Sequence, residues 1–187
     1  QDSAPMLLFI GQVARGMEGR EAFQEVDYEK AFGPLAEWSV EIRSADRVPE
    51  IISRAWSVAT TGRPGPVVIA LPEDMLTDLT EAQPLQRAVA VAEPAPSSTA
   101  MDRAKELLAR SERPLVIVGG SGWTDVGRAA LRDWMDQAGM PVLVASRFHD
   151  LADHYAPYFA GVAGVGMTPQ VKDAIANADT ILALNIR

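Results

Sequence analysis

A glycine-rich turn stands between a predicted strand and a predicted helix, and its residues are Gly119, Gly120, Ser121 and Gly122. Backbone amides and the helix dipole can hold a phosphate at such a position. The dinucleotide fingerprint is incomplete, because Asp125 stands where its third glycine would fall and a carboxylate opposes a pyrophosphate. Two interpretations stay open: a phosphate-binding turn, and a tight turn that only joins the strand to the helix.

Few other side chains have the type and spacing that chemistry requires. Arg63 is held between rigid neighbours in Gly-Arg-Pro-Gly, where a guanidinium suits a phosphate, although an ion pair with a carboxylate is the plainer interpretation. His149 and His154 share one polar loop with two aspartates, and such ligands suit divalent ions. Solvated surface histidines are the commoner case, so we predict no metal site. We also predict no catalytic residue, because no nucleophile–base pair can be assembled.

The elements of the first half predict part of a parallel sheet. A continuous apolar run at 5–10 predicts a strand buried on both faces, with a loop from Gly11. Residues 22–36 predict a short helix broken at Gly33, and 38–42 a second strand. Apolar residues from Val48 to Ala59 recur at helical spacing, and a buried strand follows at 67–71.

The second half repeats the alternation of helices and strands and predicts a Rossmann-like βαβαβ unit. We expect the residues between 146 and 167 to be an irregular loop with three glycines. The predicted strands are 115–118, 141–145 and 180–185, and the predicted helices are 101–108, 124–137 and 168–178. The expected fold class is therefore α/β, with parallel-sheet pieces of two domains.

Composition limits the class of protein. The 187 residues are 48% hydrophobic and 22% charged, with a net charge of −8 and no cysteine. These values predict a folded cytoplasmic protein without a nucleic-acid surface, and no run is long enough for a membrane helix. The chain opens with Gln1 and stops at Arg187 directly after an apolar strand, which predicts a fragment of a longer polypeptide.

Two long segments carry a family resemblance. Residues 11–25, Gly-Gln-Val-Ala-Arg-Gly-Met-Glu-Gly-Arg-Glu-Ala-Phe-Gln-Glu, and residues 61–74, Thr-Gly-Arg-Pro-Gly-Pro-Val-Val-Ile-Ala-Leu-Pro-Glu-Asp, resemble the thiamine-diphosphate enzymes of the acetolactate synthase group. That group includes benzoylformate decarboxylase, glyoxylate carboligase and oxalyl-CoA decarboxylase. The resemblance implies three parts: the C-terminal half of a pyrimidine-binding domain at 1–76, a linker at 77–98, and a truncated central domain at 99–187.

The resemblance also implies a site. Gln12, Phe23, Gln24 and Glu73 are expected to line the substrate and cofactor pocket. The activating glutamate is expected upstream of this chain, and the Mg²⁺-binding segment belongs to a third domain. Thiamine diphosphate and Mg²⁺ are the implied cofactors of the parent enzyme, which is expected to be a homodimer or homotetramer acting on a small molecule.

Departures from the family pattern narrow the range of substrates and cofactors that the resemblance implies. Acetolactate synthases typically carry lysine where this chain has Glu73 and proline where it has Ala14, and a negative charge should repel an anionic 2-oxo acid. The glycine turn and Arg63 match FAD-contacting positions of the family, but Gly166 replaces a histidine, so the resemblance leaves FAD open without favouring it.

The chain is expected to be part of a decarboxylase or carboligase, a lyase or transferase that acts on a 2-oxo acid or an acyl-CoA. The fragment alone is expected to be inactive. The alternative is a non-catalytic nucleotide-binding or interaction module.

Overall fold

A computed structural model describes residues 2–87, 89–91 and 94–186. The chain divides into two compact units, unit 1 (Gln1–Glu93) and unit 2 (Pro94–Arg187). The division falls inside the predicted linker. Gln1 and Arg187, on which the expectation of a fragment depends, lie outside the described residues. In the described part of the chain, no helix is long and apolar enough to cross a membrane.

Unit 1 is a parallel sheet with helices packed on it. The strand order is β1-β3-β2, so the last strand in sequence lies in the centre. Its strands are β1 (Met6–Gln12), β2 (Trp38–Glu41) and β3 (Pro66–Pro72), and its helices are α1 (Tyr28–Phe32) and α2 (Val48–Thr60). The central position makes β3 the most buried strand, with a run of buried residues from Val67 to Ala70.

Helix α2 agrees with its prediction from the apolar spacing. Ile51, Ala55 and Ala59 are buried and pack with Val67 and Ile69 of β3 in one apolar cluster. Burying a large aliphatic side chain stabilises the fold by about 1.5–3 kcal/mol, so this stripe attaches the helix to the sheet. The helix is followed by a left-handed glycine before β3 begins.

Strand β1 forms as expected, but its predicted burial on both faces is wrong. Within the described residues it pairs only with β3, so it is an edge strand. Met6 and Phe9 are each 50% exposed, whereas Leu7 packs into the cluster under α2. An apolar run predicts a strand, but the exposed fraction of each side chain depends on which elements pack against that strand in the tertiary structure.

The helix predicted at 22–36 is much shorter than expected. Only Tyr28–Phe32 is helical, and it begins where the side chain of Asp27 accepts a hydrogen bond from the amide of Lys30 (3.0 Å). Glu21 and Gln24 have φ angles of +55° and +67°, which no right-handed helix contains. Gly33 ends the helix, as predicted.

Unit 2 is a parallel sheet with the strand order β6-β5-β4-β7. This arrangement confirms the α/β fold class and the Rossmann-like character of the second half. Its strands are β4 (Pro114–Val118), β5 (Val142–Ala145), β6 (Phe159–Ala163) and β7 (Thr180–Leu184), and its helices are α3 (Ser98–Arg110), α4 (Asp125–Ala138) and α5 (Pro169–Asn177). The core cluster around Val116, Val144 and Met135 joins the sheet to α4.

The predicted loop at 146–167 is wrong in its second part, because it contains the edge strand β6. Gly161 interrupts the apolar run of this strand and has a φ of +130°. A Cβ there would lie 2.6 Å from a methyl carbon of Val171, so α5 packs close to the strand. The pairing register with β5 also shifts between Val142 and Leu143. A glycine inside a short run is typical of a loop, which explains why the pattern hid the strand.

The direction of the connections reverses at β4. The chain moves from β4 through β5 to β6 on one side, and β7 then returns to the other side of β4. In open α/β sheets, ligands bind outside the carboxyl ends of the strands at such a reversal. In unit 2 that place lies beside Gly119 and Asn185, which follow β4 and β7.

Candidate functional site

A cavity of about 320 Å³ lies at the carboxyl edge of the sheet in unit 1. Gln12 ends β1 and Glu41 ends β2, and the cavity is lined by these two strand ends and by the segments that follow them. Most of its lining residues are polar or acidic: Gln12, Glu18, Gly19, Glu25, Val26, Asp27, Tyr28, Glu29, Val40, Glu41, Arg43 and Ala70. Of the residues predicted to line a pocket, this cavity includes Gln12.

Gln12 is a buried polar residue, with 8% of its surface exposed. Its Nε2 donates to the carbonyl oxygen of Val26 (2.7 Å) and to Oε2 of Glu41 (3.4 Å). Its Oε1 accepts from the amide of Val13 (3.0 Å), and its carbonyl oxygen accepts from the amide of Glu73 (3.0 Å). The side chain therefore connects the loop after β1 to the segment before α1 and to the end of β2.

The carboxylates around the cavity are held by specific partners. Arg43 forms ion pairs with Glu18 and with Glu41, the second at 3.0 Å. The amide of Gly19, followed by that of Ala22, donates to Glu25 and holds the pKa of its carboxyl below the ordinary value. In the described part of the chain, Oε1 of Glu18 is buried without a hydrogen-bond partner. The cavity thus carries an excess of acceptors over donors.

Arg15 connects the loops that follow all three strands of unit 1. Its amide and Nε donate to the carboxylate of Asp74 (2.9 and 2.8 Å), and Nη2 donates to Asp78 (3.0 Å). Nη1 donates to the carbonyl oxygen of Arg43 after β2 (2.9 Å). The hydrogen bonds that the guanidinium of Arg15 donates to Asp78 and to Asp74 raise its pKa. The amide of Arg15, and then its guanidinium, lower the pKa of Asp74.

Sequence reasoning missed Arg15 as the residue that connects these loops. Its position in the glycine-containing segment after β1 was the available signal, because a side chain there reaches the carboxyl edge of the sheet. Its partners, 59 and 63 residues further along the chain, could not be identified without the strand order.

The other predicted pocket residues do not line the cavity. Phe23 is 89% exposed, and Gln24 is exposed with a left-handed backbone. Glu73 is exposed directly after β3, and its backbone amide donates to the carbonyl oxygen of Gln12. Arg63 precedes β3 and so lies at the opposite edge of the sheet, where its Nε donates to Oγ of Ser3 (3.0 Å).

The two histidines have structural contacts within their loop. The ring of His154 stacks on Phe159 with centroids 4.3 Å apart, and its Nε2 lies 3.0 Å from the carbonyl oxygen of His149. Asp150 pairs with Arg128, and this contact lowers the pKa of the aspartate. Among residues 2–87, 89–91 and 94–186, no group of three potential ligand side chains is placed to hold a metal ion.

Comparison with known proteins identifies relatives for both units. The family model for the central domain of thiamine pyrophosphate enzymes matches residues 101–187. The acetolactate synthase isozyme 2 large subunit of Escherichia coli K12 is 28% identical over 186 residues, which is 100% of this chain and 34% of the relative. A probable acetolactate synthase large subunit of Methanocaldococcus jannaschii is 29% identical over 193 residues, covering 100% of this chain and 32% of the relative.

A glyoxylate carboligase of Escherichia coli O157:H7 is 33% identical over 143 residues, covering 76% of this chain and 24% of the relative. The chain therefore spans about a third or less of the length of these curated relatives. Both the second-unit match and the full-length matches agree with the resemblance carried by residues 11–25 and 61–74. Residues 101–187 therefore match the central domain of thiamine pyrophosphate enzymes, and the whole chain is similar to the large subunits of acetolactate synthases.

Proposed function

We propose that these residues form part of a thiamine-diphosphate-dependent decarboxylase or carboligase, a lyase or transferase acting on a 2-oxo acid or an acyl-CoA. The observation that carries the proposal is the similarity of both units, in order, to acetolactate synthase large subunits. In this proposal unit 1 is the C-terminal half of a pyrimidine-binding domain and unit 2 is part of the central domain. The alternative of a non-catalytic module has no specific observation in its favour.

The cavity in unit 1 fits one end of thiamine diphosphate. An aminopyrimidine presents N–H donors, and the cavity offers the carboxylates of Glu18 and Glu41 together with Gln12. The diphosphate end does not fit, because Arg43 is already paired with both glutamates and the remaining carboxylates would repel it. We propose that the ring, and not the diphosphate, lies against this edge of the sheet.

The chemistry of such an enzyme comes from the cofactor, since thiamine diphosphate supplies a carbon nucleophile for the substrate carbonyl. The residues of this chain would orient and shield the reacting groups. Gln12 fixes the loop after β1 through its hydrogen bonds to Val26 and Val13. Arg15 fixes the same loop to the end of β3 through Asp74. A rigid wall of this kind lowers the entropic cost of bringing the reactants together.

Several finer parts of the proposal stay predictions. Mg²⁺ is expected to be bound by a segment other than these residues. A homodimer or homotetramer is expected of the parent enzyme, since the family places its cofactor between two subunits. Phe23 and Gln24 are proposed pocket residues, although both are exposed here. The cytoplasmic location and the use of FAD also stay predictions, and FAD is not favoured.

The proposal is tested with two proteins: the 187-residue chain and the intact polypeptide that contains it. The intact protein is expected to consume pyruvate, glyoxylate or an acyl-CoA only when thiamine diphosphate and Mg²⁺ are present. Calorimetry of the 187-residue chain is expected to detect no micromolar binding of this cofactor. Activity that is independent of thiamine diphosphate would overturn the proposed reaction. Micromolar binding of thiamine diphosphate by the 187-residue chain would overturn the proposal that other segments of the intact polypeptide are needed to bind the cofactor.

Glu73 provides a prediction about substrate choice. Its exposed carboxylate follows β3, beside the amide contact with Gln12, where it would repel an approaching 2-oxo acid anion. In the intact enzyme, Glu73→Lys is expected to raise kcat/KM for pyruvate by about two- to fivefold, mainly through KM, because an exposed charge is screened by solvent. The matched control is Glu106→Lys on the exposed face of α3, which changes the net charge equally. Equal kcat/KM values for the two variants would contradict the electrostatic explanation.

A further inference from the structure

The crevice at the carboxyl ends of β4 and β7 is the place in unit 2 where an α/β sheet of this order ordinarily binds a ligand. The glycine turn at 119–122 follows β4, and Asn185 follows β7. A bound adenine nucleotide would need this turn to be open, so that backbone amides can approach its pyrophosphate. The contacts of the turn decide whether a nucleotide fits.

The first two glycines of the turn are needed for packing against neighbouring chain. A Cβ at Gly119 would lie 2.9 Å from Cβ of Ala145 and 3.0 Å from a methyl carbon of Ile186. A Cβ at Gly120 would lie 2.0 Å from the carbonyl oxygen of Asn185 and 2.6 Å from its side-chain nitrogen. The space that the missing side chains leave is therefore filled by protein and is not an empty cradle.

Asn185 is held in this position by specific contacts. Its Nδ2 donates to the carbonyl oxygen of Ser121 (2.9 Å), and the preceding Leu184 accepts from the amide of Gly119 (3.1 Å). The backbone of Asn185 is left-handed, with a φ of +53°, a conformation that asparagine adopts more readily than most residues. The side-chain amide thus closes the crevice on the side of the turn.

The start of α4 is also poorly suited to a pyrophosphate. Oγ1 of Thr124 accepts from the amide of Gly127 (3.0 Å), so one of the free amides of the first turn already has a partner. Asp125 is the first helical residue, and its carboxylate would repel a second anion at this helix end. The residues present therefore do not fit the diphosphate of FAD or ADP.

We propose that Asn185 occupies the crevice between the carboxyl ends of β4 and β7 and thereby excludes adenine nucleotides. The glycine turn of unit 2 then allows close packing and does not bind a phosphate. This assigns Asn185 as the residue that determines nucleotide specificity in the second unit. The inference goes beyond the proposed reaction, because nucleotide binding is measured without turnover and either proposal can fail while the other holds.

The test is calorimetric titration of the intact polypeptide with ADP and, separately, with FAD. The natural protein is expected to bind neither ADP nor FAD with a Kd below about 1 mM. Asn185→Gly removes the side chain and tolerates the left-handed backbone, so it is expected to fold and to bind ADP at least tenfold more tightly than the natural protein. Asn185→Asp, which keeps the side-chain shape and adds a negative charge, is the matched control and is expected to bind no ADP.

Micromolar binding of FAD or ADP by the natural protein would overturn the inference, whatever the variants do. It would also be overturned if Asn185→Gly folded, as judged by near-ultraviolet circular dichroism, and bound ADP no more tightly than the natural protein. If that variant did not fold, the titration of the natural protein would decide alone, with weak or no binding supporting exclusion.

Discussion

Gln12→Glu is expected to destabilise unit 1 by about 2–3 kcal/mol at pH 7, because it replaces a buried donor by a charged acceptor. The carbonyl oxygen of Val26 loses its hydrogen bond from Nε2, and the introduced carboxylate faces Glu41. The backbone amide of Val13 keeps its partner, since Oε1 is retained. Urea unfolding at pH 7, compared with the natural chain, measures the loss.

The same substitution has an expected pH dependence. Burial and the nearby Glu41 should raise the pKa of the introduced carboxyl above its unfolded value. The variant should therefore regain stability relative to the natural chain as the pH falls from 7 through that raised pKa, because the protonated carboxyl can donate to Val26. Gln12→Met is the matched control with similar volume and no titration. A difference between the Glu variant and the natural chain that did not change between pH 7 and pH 5 would contradict this account.

Gly120→Ala is expected to destabilise unit 2 by about 2–4 kcal/mol. The added methyl group would lie 2.0 Å from the carbonyl oxygen of Asn185, which forces the ends of β4 and β7 apart. The backbone at Gly120 also has a φ of +75°, and that conformation costs an alanine roughly 1–2 kcal/mol. Hydrogen exchange is expected to become faster in peptides of β4 and β7.

Gly122→Ala is the matched control for Gly120→Ala. Gly122 has a similar φ of +83°, but a Cβ there meets nothing within 4 Å. The control should therefore lose only the roughly 1–2 kcal/mol that the backbone conformation costs. Equal losses in urea unfolding for the two variants would show that strain at positive φ, and not contact with Asn185, accounts for the effect.

The family resemblance and the α/β class could both be derived from local patterns, and both are confirmed. Helix α2 was predictable because its apolar stripe has a single period, from Val48 to Ala59, and a glycine follows it. The extent of α1 was not predictable, because the left-handed backbones of Glu21 and Gln24 depend on contacts of the folded loop. Strand β6 was not recognised because Gly161 interrupts its apolar run, and only the structure shows that α5 packs where a side chain at this position would lie.

The candidate site was only partly predictable. Gln12 could be singled out from its motif, and it lies in the wall of the cavity. Glu18, Glu41 and Arg43 were not predicted to act together, because they belong to different loops that meet only when β1 and β2 both flank β3. Phe23 was predicted to line the pocket, yet its side chain is 89% exposed in the structure.

By itself, the sequence determined the α/β class, the class of most elements and the family resemblance, because periodicity and motif spacing are local properties of a chain. Only the tertiary structure decided what the glycine turn does. Its sequence, from Gly119 to Gly122, permits either a phosphate or a close packing contact. The return of β7 to the side of β4 brings Asn185 against Gly120, and two groups cannot occupy the same space. Contacts of that kind join residues 65 positions apart, so no local pattern encodes them.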